Sequence, residues 1–255
     1  MRKRSLLSAS AIGAFGLLGF AGPASASSWP VFRGLFHPRA AVAGTPRASS
    51  APAAPSPYAA GYLSNTAYPS LNLTTTFVVP KVKCGHTNSV VAAGMTTISS
   101  GGGPVGEQGV LLLIGCKSSG SPFYIPAVST GSTAQRGHAA HPGDTVVLHE
   151  TASASSVSVS FADKTHPTAN MKLTGTGAPF FSPAIEELKD SSGSTSYPIP
   201  NFGKITFTKS KLNHQPFGLS PVNRVDMVNS SAVVQIATSP FASDNESFKT
   251  TFKHS

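Results

Sequence analysis

The chain has 255 residues, a formal net charge of +9, 24 Gly and 21 Pro, and only 11% of its residues are charged. That length supports one substantial core with tails, and that density of turn formers excludes a helical bundle. The cations are scattered, without the dense runs or interleaved aromatics of a nucleic-acid groove, so no nucleic-acid partner is expected.

The opening MRKRSLLSASAIGAFGLLGFAGPASA joins a basic start to an apolar run from Ala11 to Ala21 and small residues at Ala24 and Ala26. It reads as a secretory signal over 1–26, cut after Ala26. The apolar run falls short of the roughly 18 residues that a membrane anchor needs. A secreted, extracellular protein is expected, with no membrane partner once the signal is cut. Cleavage removes Arg2, Lys3 and Arg4 and no acid, so the net charge drops by three, from +9 to +6.

Residues 27–57 are dominated by Pro, Ala and Ser and contain the single tryptophan, Trp29. They read as a leader or linker. From Tyr58 onward, short runs rich in β-formers alternate with turn residues: LTTTFVVP, VVAAGM, VLLLI, TVVLHE, SVSVSF, ANMKLTG, GKITFT, RVDMV, AVVQIA and ESFKTTF. SVSVSF and KITFT alternate with period two, the mark of strands with one buried face. The pattern predicts an all-β domain over 58–255, an antiparallel two-sheet sandwich.

Cys84 and Cys116 both fall in the exported region, where oxidising conditions favour a bridge. They are too few for a structural zinc site unless histidines join them, and no His pair has finger spacing.

The ten acids are Glu107, Asp144, Glu150, Asp163, Glu186, Glu187, Asp190, Asp226, Asp244 and Glu246. No Asp-Thr-Gly or Asp-Ser-Gly loop is present for a pepsin-like pair. No Gly-x-Ser-x-Gly elbow occurs, and HETAS at His149 lacks the second histidine of a zincin helix. His138, His141 and His149 surround a Pro-Gly-Asp turn and read as solvated loop residues, so no metal and no cofactor is expected. Glu186, after the apolar FFSPAI, and Glu107 or Gln108, entering GVLLLI, stand out. A carboxylate on a half-buried sheet face is costly without a partner, which points to function.

In order along the chain, AAGYLSN, LTTTFVVPKVKCG, VAAGM, EQGV, HPGDTV, AIEE and PNFGKITFT resemble the glutamic peptidases called eqolisins, over Ala59 to Phe252. The resemblance implies a concanavalin-like jelly roll with a glutamine and a glutamate on its concave sheet. Glu186 takes the glutamate's place, with Glu187 as the fallback. Gln108 is the better match for the glutamine, while Glu107 fits the literal spacing to Gly109. The implied activity is acid-acting endopeptidase cleavage of a polypeptide substrate by a monomer, with Gln108 and Glu186 as catalytic dyad. Ala92 and Pro183 stand where the family has tryptophans. A second reading is therefore a catalytically inactive relative whose concave sheet binds peptide or carbohydrate.

Overall fold

The computed structural model describes residues 52–100, 107–189 and 197–254. The expected signal, 1–26, and the leader up to residue 51 lie outside them. The described residues form an all-β structure. Its strands are β1 (Ala54–Ser56), β2 (Ala59–Ser64), β3 (Leu71–Val78), β4 (Ser89–Ser100), β5 (Glu107–Cys116), β6 (Pro122–Thr130), β7 (Ala134–Arg136) and β8 (Thr145–Ala152). They continue with β9 (Ser156–Asp163), β10 (Met171–Thr176), β11 (Phe180–Lys189), β12 (Lys204–Leu212), β13 (Gln215–Pro216), β14 (Val222–Val228), β15 (Val234–Thr238) and β16 (Phe248–Phe252). Among the described residues no helix is long and apolar enough to cross a membrane.

The strands join into one sheet in the order β10-β9-β8-β3-β12-β16-β15-β14-β2-β11-β4-β5-β6-β7. Every pairing along this path is antiparallel. β1 runs parallel to β14, and β13 pairs with β12. The sheet curls until its ends meet: a Cβ on Gly175 of β10 would lie 2.6 Å from the Thr130 side chain of β6. The result is a sheet nearly closed into a barrel.

The predicted alternation holds where it is clearest, with Val157, Val159 and Phe161 of β9 turned inward between less buried serines. Leu71, Leu73 and Phe77 of β3 do the same. The inner face is filled by aromatics: Phe207 stacks on Phe248 at 4.9 Å, Phe77 meets Phe207 at 5.4 Å and Tyr62 lies 4.1 Å from Phe241. Each such side chain contributes about 1.5–3 kcal/mol by burial, and the ring pairs add roughly 0.5–1.5 kcal/mol.

β5 is buried along its whole length on both faces, as its unbroken VLLLI run requires. Cys116 at its end is bonded to Cys84, with the Cα atoms 5.5 Å apart. The bridge expected between the two cysteines is therefore present, and it ties the loop after β3 to the far end of β5.

Candidate active site

Most acids among the described residues lie inside. Of the nine acids among the described residues, six, Glu107, Asp144, Glu150, Asp163, Glu186 and Glu187, are buried. Four of these six lie on β5, β8 and β11, and strand alternation sorts them onto two faces.

Thr96 and Thr97 are neighbours on β4 and point to opposite faces. Thr97 turns inward and donates to Glu150 Oε2 at 3.1 Å. Gln108, in register with Thr97, turns to the same inner face, where its buried Nε2 has no hydrogen-bond partner among the described residues. Glu187 is inward too, taking a short hydrogen bond from the Thr250 hydroxyl. Both inward carboxyls are sealed from water. Burial pushes Glu150 up to about 7 against the bond from Thr97, and pushes Glu187 up to about 8 against the bond from Thr250.

Glu186 is on the other face, where the Thr96 hydroxyl donates a short hydrogen bond to its Oε1. The structure therefore does not bring Gln108 and Glu186 onto one face: Gln108 joins the interior with Thr97 and Glu150, and Glu186 lies outward with Thr96. The residue that shares the face of Glu186 is Glu107, one position before Gln108 on β5. Glu107 is in register with Ile98, and Glu186 with Gly94. The bond to Thr96 shows that the Glu186 side chain leans along β4 toward Glu107. From Thr96 to Ile98 is two residues, roughly 7 Å along the strand.

One cross-strand row on this outer face reads Val225, Gly61, Glu186, Gly94, Leu111, Ala127, Arg136 over seven strands. Small residues flank the carboxylate on both sides. At Gly61, with φ at +142°, a Cβ would fall 2.4 Å from the Ile185 carbonyl oxygen and 2.7 Å from Glu186 Cα. Glycine thus lets β2 close against the glutamate. At the far end Arg136 is half-buried, and desolvation lowers its guanidinium pKa. A cavity of about 360 Å³ opens there between Leu113, Phe123, Ile125, Lys117, Arg136 and Tyr197. An apolar patch of Ala59, Ala92, Leu111, Leu113, Ala127, Leu188 and Val225 completes the face, and Ala54 of β1 packs against it.

The remaining histidines divide. His149 pairs with the Asn72 side chain, Nε2 to Oδ1 at 3.0 Å, and His138 is exposed. His141 sits with Asp144 and His166, their ligating atoms all within 4.8 Å of one another. Sequence reasoning had no sign of that grouping, because His166 arrives from the far end of β9.

No family model matches the chain, and no curated protein is similar to it. Among solved structures it is similar to full-length tailspike protein 2 from an Escherichia coli O157:H7 bacteriophage, at 14% identity and TM-score 0.27, covering 57% of this chain and 20% of that one. The enzymatically active domain of tailspike protein 2 of bacteriophage CBA120 gives 14% identity and TM-score 0.28, over 58% and 24% of the two chains. A CBM2 module from the evolved Dit of Lactobacillus casei BL23 phage J-1 gives 12% identity and TM-score 0.27, over 50% and 57%. The chain thus spans about a fifth to a quarter of the tailspike chains. At these TM-scores the likenesses assign neither a shared fold nor an activity.

Proposed function

We propose that the protein is a secreted, acid-acting endopeptidase of the eqolisin type, with the curled sheet arranged as a jelly-roll sandwich. The observation that carries the reading is the pair of outward carboxyls, Glu186 and Glu107, on one face of neighbouring strands. Once that face is uncovered, an extended polypeptide would lie across it beside the two carboxyls. Glu186, oriented by Thr96, takes a proton from the attacking water. Glu107, standing where the family's glutamine would by its spacing to Gly109, is protonated in acid and donates to the carbonyl oxygen as charge develops there. Two carboxyls in these roles must differ in protonation, which confines turnover to acid. The cavity beside Arg136 receives a substrate side chain.

Glu186 is fully buried in the described structure, so a substrate needs this face uncovered. We assign that step to removal of the leader. Its last described segment, β1, lies along β14 with Ala54 on the apolar patch. The same burial favours a second reading, a non-catalytic face that holds a peptide. Acid incubation of the secreted full chain with a denatured protein substrate separates the two. Peptide release at pH 3–5, with loss of the leader seen by N-terminal sequencing, supports the enzyme. Leader removal without substrate cleavage leaves only the binding reading, and activity that peaks at neutral pH overturns the carboxyl mechanism.

A further inference from the structure

Away from the sheet faces, two loops meet at one end of the β8–β9 pair. The first, His141 to Asp144, turns through Gly143 at a φ of +94° and is clamped to the strand end by reciprocal bonds, Gly143 N to the Val79 carbonyl at 2.9 Å and Val79 N to the Asp144 carbonyl at 2.8 Å. The second runs from Asp163 to His166 and is fixed by Lys164 N donating to the Thr145 carbonyl at 2.9 Å. Each loop offers one carboxylate and one imidazole three residues apart, in opposite order. The fold superposes these two half-sets.

We infer that His141, His166 and Asp144, backed by Asp163, form a binding site for a divalent transition-metal ion of the zinc class. His166 Nδ1 is 2.7 Å from Asp144 Oδ1, and His141 Nδ1 is 3.5 Å from Asp144 Oδ2. Around a tetrahedral ion with bonds near 2.0–2.1 Å, neighbouring donor atoms stand about 3.3 Å apart. The observed set spans that value. Only the imidazoles need to move, and they are free to do so: their side chains are 61% and 51% exposed, against 3% for Asp144.

Asp163 supplies an independent sign. It is buried. Its Oδ1 accepts the backbone N–H groups of Thr165 and His166 at 2.8 Å each. Its carboxyl contacts that of Asp144, yet buried Oδ2 has no hydrogen-bond partner among the described residues. A buried carboxylate oxygen left without a partner on the loop that carries His166 is costly, and a cation held beside Asp144 would satisfy it. Two imidazole nitrogens select a zinc-like ion over calcium or magnesium, which prefer all-oxygen shells.

The test is calorimetric titration of the full chain with zinc chloride at pH 7.5, alongside calcium chloride. One zinc per chain is expected, with a rise in Tm on loading. His141→Ala and His166→Ala should each weaken binding by about 10–100-fold or more, whereas His138→Ala, outside the cluster, should leave it unchanged. Because both altered side chains are exposed, circular dichroism should report an intact fold. Absence of saturable zinc binding, retention of one zinc in the double variant His141→Ala/His166→Ala, or preference for calcium would each overturn the site. None of these outcomes depends on peptidase activity.

Discussion

Glu150 and Glu187 make the interior of this protein sensitive to external pH. Their folded pKa values, about 7 and about 8, lie above the 4.5 of a free glutamate. Below pH 4.5 both folded and unfolded chains hold these protons, and the stabilisation is fully present. Between 4.5 and about 8 the unfolded chain ionises while the native one stays protonated, so stability falls as pH rises. The loss is on the order of a few kcal/mol for each group. Thermal melts should therefore show Tm declining from pH 5 to pH 8.5, and Glu187→Gln should flatten the decline. A Tm that rises over this range would reject the assignment. Asp144 sets the opposite limit: although burial raises its pKa, bonds from the His141 backbone and His166 hold it below the usual value, so stability is lost again in strong acid. At the outer face, Glu186→Gln should abolish acid proteolysis, and Glu107→Gln should lower kcat by roughly 100-fold, the scale of one lost oxyanion donor. Gln108→Leu should leave kcat within a few-fold, because that side chain turns to the inner face, where its Nε2 is unpartnered among the described residues. Which of Glu107 and Gln108 faces outward could not be read from EQGV, since that choice is a parity set by pairing with β4 across the strand. Glu186, by contrast, was legible as an acid ending an apolar run.

Elements were more readable than sites. Runs with clean alternation or dense branched residues all became strands, because a half-buried pleat demands that pattern. β6 was not among the runs picked out, since its two prolines disguise it. Pro126 is tolerated there because its carbonyl turns toward β7 and accepts Gly137 N–H at 3.0 Å. Its missing N–H turns the same way, away from the ladder with β5. The histidine–aspartate cluster was hidden for a similar reason, as only the β8–β9 pairing brings Asp163 and His166 to the HPGD turn. Two elements invite tests. Gly61→Ala places a Cβ against the Ile185 carbonyl, so β2 must back away from Glu186. It should destabilise by about 1–3 kcal/mol and reduce peptide release along with Tm. Reduction of the Cys84–Cys116 bridge, with a sequence separation of 32, should lower stability by roughly 3–4 kcal/mol in the loop-entropy account. Denaturant titration of the native and reduced protein measures it.

At the scale of the whole molecule, the order of strands in the sheet is not their order in the chain, and no local pattern announces it. The core positions could be anticipated; the neighbours could not. β2 and β3, close together in sequence, lie on opposite sides of a stretch containing β12, β16, β15 and β14. That stretch has a consequence for how the protein comes into being. β16, the last described strand, is inserted between β12 and β15 and brings Phe248 to the aromatic stack and Thr250 to Glu187. The sheet cannot be joined through its middle until Phe248–Phe252 is in place, so the native ladder waits on a segment about 190 residues beyond β2. Such reliance on distant pairings makes folding slow. A chain ending before Phe248 should remain protease-sensitive, with the burst of native near-ultraviolet dichroism appearing only when the final segment is supplied.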